Sequence, residues 1–253
     1  MDEALHVTLV ANAGLLLEYR GTTLLLDGIY GAEGHPFSNL SPQVWHQMLA
    51  GEGRFRKVDY LLFSHHHADH FSPRMTLEFL RRRRVKGIFK PAAERDNELD
   101  AWLRQEKIPC AALSRETDHV SWRIEPHITV RAFFTRHLDK KYADVRHFCY
   151  LISFDDRQVL FTADTDYTSE TFGQLQGKHL RAVFLNPLFF HVLHNPRFFA
   201  GRLEAESFCV FHVPFAGEDS MGVRDRLSRA LERWPREAGE ALALTEPFQE
   251  ILL

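Results

Sequence analysis

The segment His65-His66-His67-Ala68-Asp69-His70 follows directly on the apolar run Tyr60-Leu61-Leu62-Phe63. A short, uninterrupted apolar run reads as a buried strand, so the histidines occupy the loop that leaves it. The pattern is His-x-His-x-Asp-His. It places four metal-capable side chains, His65, His67, Asp69 and His70, within six positions. One tetrahedral ion rarely takes that many ligands from one short segment, and two ions side by side account for them. Metal-assisted hydrolysis is the chemistry such a pair serves best.

The spacing assigns the ligands further. His65 and His67 are one residue apart, so on an extended loop their rings can point the same way and share one ion. Asp69 and His70 lie just beyond and can reach a second. Partners of matching type stand elsewhere in the chain. His137 follows the expected strand 128–134, Asp164 follows 158–162, and His212 follows 207–211. Alone, each reads as a cap, a turn residue or a satisfied polar group. Together with the histidine loop they read as ligands, because strand ends deliver side chains to a site held by rigid elements.

The remaining pattern gives the frame. Residues 6–10, 14–19 and 22–26 read as strands, with Arg20-Gly21 a hairpin turn and Asp27 at the end of the third. Ser41-Pro42 and Ser72-Pro73 are helix starts, Ser as cap and Pro at the first helical position; the second helix runs to about residue 84. Strands are expected at 58–63, 85–89, 120–124, 128–134, 148–154, 158–162, 182–185, 207–211 and 241–244. Helices are expected at 93–106, 168–175, 197–204 and 220–233. The aromatic stretch 186–196 reads as a functional or packing loop. Strands open each half and helices close it, which predicts an α/β four-layer αββα sandwich formed by one domain over 1–253.

Composition removes several classes. With 253 residues and 45% hydrophobic content, the chain can bury a large core. Its net charge of -3 gives no sign of a polyanion binder. Arg81-Arg82-Arg83-Arg84 falls at a helix end, where cations complement the helix dipole, and reads as a solvated terminus. Three scattered cysteines build neither a disulfide framework nor a thiolate zinc site. No signal peptide or membrane span is visible, so a cytoplasmic protein with a small-molecule substrate, no nucleic acid and no membrane partner is expected. Homo-oligomerisation is left open.

These residues together resemble the metallo-β-lactamase superfamily of binuclear metallohydrolases. The resemblance rests on Asp27, the His65-x-His67-x-Asp69-His70 signature, then His137, Asp164 and His212 in order. It spans nearly the whole chain and implies the metallo-β-lactamase type of αββα sandwich. The opening Asn12-Ala13-Gly14-Leu15-Leu16-Leu17-Glu18, with Leu24-Leu25-Leu26-Asp27, is similar to the ascorbate-6-phosphate lactonase-like branch. The resemblance implies His65, His67 and His137 on one ion and Asp69, His70 and His212 on the other. Asp164 would bridge them and Asp27 would orient ligands from behind. His147 is a rival to His137 as ligand, and otherwise a strand residue or substrate contact.

Two divalent ions are implied, zinc first, with manganese or iron as alternatives. The expected activity is attack by a metal-bridging hydroxide on a small ester, lactone or phosphoester, with Asp69 orienting the water as the catalytic residue. His191 and His194 are candidate proton donors or pocket residues, Tyr167 a candidate substrate contact, and His66 a structural residue pointing away. The competing readings are a tRNase Z-like or RNase J-like nuclease and a non-catalytic metal-binding protein of the same fold. A flavodiiron-type redox enzyme is a further alternative, disfavoured because that group carries Glu where this chain has His67.

Overall fold

The computed structural model describes residues 4–31, 35–95, 97–114, 120–166, 170–193, 203–235 and 238–253. The chain divides into two compact units, residues 1–113 with 246–253, and residues 114–245.

The first unit is built on a seven-stranded mixed sheet. Its strands are β1 (His6–Leu9), β2 (Leu15–Tyr19), β3 (Thr22–Leu26), β4 (Tyr60–Leu62), β5 (Gly87–Pro91), β6 (Cys110–Leu113) and the late-arriving β14 (Glu250–Leu252). The spatial order is β14-β1-β2-β3-β4-β5-β6. The β2–β3 hairpin closes Tyr19 on Thr22 across Arg20-Gly21. Both turn residues have positive φ, 46° and 70°, the turn whose twist matches that of the strands it joins. Beyond β3 every pairing is parallel.

Helices α1 (Pro42–Ala50), α2 (Pro73–Arg82) and α3 (Glu98–Gln105) supply the other part of this unit's core. Local chemistry starts each one. Ser41 Oγ accepts from Val44 N, Ser72 Oγ from Met75 N, and Asn97 Oδ1 from Asp100 N. In α2 the buried positions Thr76, Leu77, Phe79 and Leu80 form one stripe. The arginines at its end are engaged locally: Arg81 with Glu98, Arg82 with Glu78, and Arg83 with the carbonyls of Phe55 and Arg56.

The second unit repeats the plan. Its strands are β7 (Ser121–Glu125), β8 (Ile128–Thr135), β9 (His147–Phe154), β10 (Arg157–Phe161), β11 (His179–Leu185), β12 (Glu204–Val210) and β13 (Glu240–Ala243). They lie in the order β13-β12-β11-β10-β9-β8-β7. β7 to β10 pair antiparallel and β10 to β13 parallel. Its α-helices among the described residues are α4 (Pro187–Leu193) and α5 (Val223–Glu232). In parallel sheets, sites form outside the carboxyl ends of the strands. Asp27 follows β3 and the histidine loop follows β4 in the first unit, while Asp164 follows β10 and His212 follows β12 in the second. β8 runs the same way as β10 because β9 lies antiparallel between them. His137 therefore leaves the same edge of that sheet as Asp164.

Several expectations need correction. Residues 186–196 were expected as a loop, yet 187–193 form α4. Asn186 caps it with Oδ1 on Phe189 N at 2.9 Å, and Pro187 takes the first position. The helix expected at 93–106 begins at Glu98, where Asn97 can cap it. The strand expected at 85–89 spans Gly87–Pro91. The helix expected at 168–175 is present as a 3-10 helix over Glu170–Leu175. Glu204 opens β12, and residues 197–202 lie outside the described residues. The helix expected from 220 starts at Val223, because Asp219 accepts from Val223 N and Arg224 N at 3.0 and 2.8 Å. Strands β6 and β14 were not anticipated; both are short, half-exposed sheet edges.

Among the described residues no helix is long and apolar enough to cross a membrane. Cys149 and Cys209 are buried, and burial pushes both thiols up to about 12, whereas Cys110 is exposed. A thiol-titrating disulfide reagent should therefore modify Cys110 alone in the native protein and all three cysteines after denaturation.

Candidate metal centre

In the first unit, Asp27 organises the histidine loop. It is fully buried and sits at φ 44°, a left-handed turn at the end of β3. Its Oδ1 accepts from Ser64 N at 2.7 Å, and its Oδ2 accepts from Ser64 Oγ at 2.5 Å and His70 Nδ1 at 2.8 Å. A carboxylate only accepts, so the protons are fixed. His70 carries its proton on Nδ1. Ser64 gives its hydroxyl proton to Asp27 and so accepts from His65 Nδ1, 2.8 Å away. Asp27 thereby sets the tautomers of His70 directly and of His65 through Ser64, leaving Nε2 of each ring as the lone-pair atom.

Those lone pairs converge locally. His65 Nε2 faces His67 Nδ1 at 3.0 Å, and His70 Nε2 lies 4.0 Å from Asp69 Oδ2. Asp27, His65 and His70 form one buried group able to offer ligand atoms to an ion. Asp27's own oxygens already hold three donors, so its part in that group is orientation. His66 is exposed, with Nε2 3.5 Å from the Ala92 carbonyl. Tyr30 packs beneath with its hydroxyl on the Ser38 carbonyl at 2.8 Å. Burial, first of all, pushes its phenol well above the usual range, so it stays protonated.

In the second unit, Asp164 stands between two histidines. His137 Nε2 is 3.6 Å from its Oδ2 and His212 Nε2 is 3.7 Å from its Oδ1. His137 Nε2 turns to the carboxylate while Asp139 N donates to its Nδ1 at 3.1 Å; offering Nε2 to an ion requires the ring proton on Nδ1, so this contact would have to open when a metal binds. Three backbone features aim this group. Ala163 and His212 both take left-handed φ, 47° and 60°. An isolated bridge joins His137 to Thr165, and Leu138 N donates to the Asp164 carbonyl at 2.8 Å. Asn186 Nδ2 donates to Ala163 O at 2.9 Å and lies 3.3 Å from Asp164 Oδ1.

Separations of 3.6–3.7 Å are too long for hydrogen bonds between these groups. They match two donors on a shared cation, which at about 2.0–2.2 Å each lie about 3.3–3.8 Å apart at tetrahedral or wider angles. Imidazole and carboxylate suit zinc, iron and manganese alike. The donor set fits divalent metal.

His147 is fully buried with both ring nitrogens in protein hydrogen bonds, Nδ1 to Thr135 Oγ1 at 2.7 Å and Nε2 to Asp164 N at 3.1 Å. It supports Asp164 from behind instead of facing the carboxylate as His137 does. His191 is exposed on α4; His194 and Tyr167 lie outside the described residues. Ser64 and Asn186 escaped the sequence reading. Asn186-Pro187 carries the same cap-and-proline signal as the two Ser-Pro starts and could have been found by it. Asn186→Ala should cost about 1–2 kcal/mol, since it removes the cap of α4 and a brace of the Asp164 turn; chemical-denaturation midpoints measure this.

Residues 22–190 match the family profile described as Beta-lactamase superfamily domain. No curated protein matches the chain. Among solved structures, CmlA, a diiron β-hydroxylase from Streptomyces venezuelae, is 20% identical with a TM-score of 0.65. That match covers 99% of this chain and 54% of CmlA, so the chain spans about half of CmlA's length. Igni18, a metallo hydrolase from Ignicoccus hospitalis, is 13% identical with a TM-score of 0.61, covering 99% of this chain and 98% of that one. An isothiocyanate hydrolase from Delia radicum gut bacteria is 17% identical with a TM-score of 0.59, covering 97% and 98%. At these identities the likeness is one of fold, and the fold is the α/β metallo-β-lactamase fold.

Proposed function

The chain belongs to the beta-lactamase superfamily, and from that premise we propose that it is a metal-dependent hydrolase with a two-ion centre. In this reading His65, His67 and His137 hold one ion, Asp69, His70 and His212 hold the other, and Asp164 serves both. One observation carries it: each oxygen of the Asp164 carboxylate faces its own histidine Nε2 at cation-sharing distance.

Divalent ions, when bound, supply a Lewis acid and water whose pKa falls to about 7. The protein's own residues do the rest. Asp27 and Ser64 keep His65 and His70 in the tautomers that present Nε2. Asp69 is the general-base candidate: with one carboxylate oxygen on an ion, the other would orient the attacking water. The substrate class is a small ester, lactone or phosphoester. Lactones come first in this reading, on the resemblance of residues 12–18 and 24–27 to the lactonase-like branch.

The test is a metal-reconstituted screen across lactones, phosphodiesters, phosphomonoesters and thioesters, paired with metal analysis. Two bound ions and turnover abolished by chelation are expected. Undiminished hydrolysis in chelated protein, or no divalent ion bound, would overturn the reading. Oxygen uptake by an iron-loaded form, with no hydrolysis, would assign a redox role instead.

A further inference from the structure

We propose that His147 is a positioning residue for Asp164, acting as the fixed acceptor for that residue's backbone N–H at the head of a one-way hydrogen-bond relay. The inference rests on the metal-centre reading above, because it concerns how Asp164 is aimed.

The relay begins with strand register. Thr135 and His147 are direct cross-strand partners on β8 and β9, which brings the Thr135 hydroxyl onto the His147 ring. His147 Nε2 receives Asp164 N–H at 3.1 Å. A backbone amide can only donate, so Nε2 carries no proton and Nδ1 must. Nδ1 donates to Thr135 Oγ1 at 2.7 Å. Thr135 then passes its own proton to Thr165 Oγ1 at 3.1 Å, and Thr165 donates to the Thr162 carbonyl at 2.6 Å. A carbonyl can only accept. The chain therefore has an obligatory donor at one end and an obligatory acceptor at the other; Cys149 Sγ, 3.7 Å from Thr135 Oγ1 and 2.7 Å from Thr165 Oγ1, lies beside its middle and can exchange a proton with either hydroxyl, without changing the roles of Asp164 N and His147 Nε2.

This order has a mechanical consequence. The relay starts at the amide of Asp164 and ends at Thr162, so it spans the turn that contains Ala163 in its left-handed conformation. Thr165 N also returns to Thr162 O at 3.2 Å. His147, Thr135, Thr162 and Thr165 are all buried, so water does not compete for these bonds. The amide plane of Asp164 is held from behind while its carboxylate faces His137 and His212 in front. Without an acceptor at Nε2 the amide loses its partner, and the turn can rotate the carboxylate away from one histidine.

The test uses cobalt(II) as probe on the full chain, with chelator-competition affinity and visible absorption as readouts. Wild-type binding comes first: if cobalt does not bind, the metal-centre reading fails and this inference with it. With wild type binding, His147→Leu should weaken affinity about tenfold to a hundredfold and alter the absorption bands. His147→Gln, whose Oε1 can replace the Nε2 acceptor, should recover much of the loss. A merely structural role would lower the melting temperature of both variants alike and leave the folded proteins' cobalt affinity and spectrum unchanged; that result overturns the proposal. If His147→Leu does not fold, Thr135→Val decides, since it keeps the histidine but removes the acceptor for Nδ1–H. Unchanged cobalt affinity in that variant also overturns it.

Discussion

Asp164→Ala should lower turnover by about three orders of magnitude in the metal-reconstituted protein. Metal-centred charge stabilisation contributes several kcal/mol, and each 1.36 kcal/mol is tenfold in rate. This residue is the strongest choice because both its oxygens are used. Oδ2 faces His137 and Oδ1 faces His212, so truncation removes a partner from each histidine at once. The loss of stability should be small by comparison, because the backbone contacts of residue 164 with His147 and Leu138 survive the change. Steady-state kinetics beside a thermal melt separates the two effects. A variant that melts as wild type and retains most of its turnover would remove Asp164 from the mechanism.

Asp27→Ala should be the most destabilising substitution at the centre, by about 3–5 kcal/mol. The carboxylate is fully buried and accepts three hydrogen bonds, and its removal leaves Ser64 N, Ser64 Oγ and His70 Nδ1 without their acceptor. For a chain of this size the expected fall in melting temperature is on the order of 10 °C. Metal affinity should also fall, by about tenfold to a hundredfold, since the tautomers of His65 and His70 are no longer set. Asp27→Asn keeps the shape but offers one acceptor oxygen instead of two, so it should fall between alanine and wild type. Calorimetry gives the first effect and chelator competition the second. Alanine and asparagine variants with wild-type melting temperatures would contradict the role given to this carboxylate.

Legibility in the sequence follows how local each cause is. Ser41-Pro42 and Ser72-Pro73 announce their helices because cap and proline act within one turn. The Arg20-Gly21 hairpin is legible for the same reason. His65, His67, Asp69 and His70 stand out by density. Asp27, His137, Asp164 and His212 become readable only as strand-end residues weighed together with that cluster. β6 and β14 escaped because edge strands need little apolar content, and their pairing partners lie far away in sequence. His147 was ambiguous because its role depends on register. Nothing local in Arg146-His147-Phe148 shows that Thr135 lies opposite or that the amide of Asp164 lies within reach. Ser64 is a single hydroxyl between a strand and a louder motif, and only the geometry of Asp27 reveals that it passes a tautomer from one residue to another.

The pairing of β14 with β1, His6 against Leu252, has a consequence for the order of events in synthesis. The second unit is continuous in the chain, whereas the first needs residues 246–253 to complete its sheet. A ribosome therefore releases every strand of the later unit before the earlier one can close. Throughout that interval β1 presents an unpaired row of amides and carbonyls, the kind of edge that recruits foreign strands. The unit that is translated first is thus the one that finishes last, and the burden of keeping the nascent chain from associating falls on its opening strand.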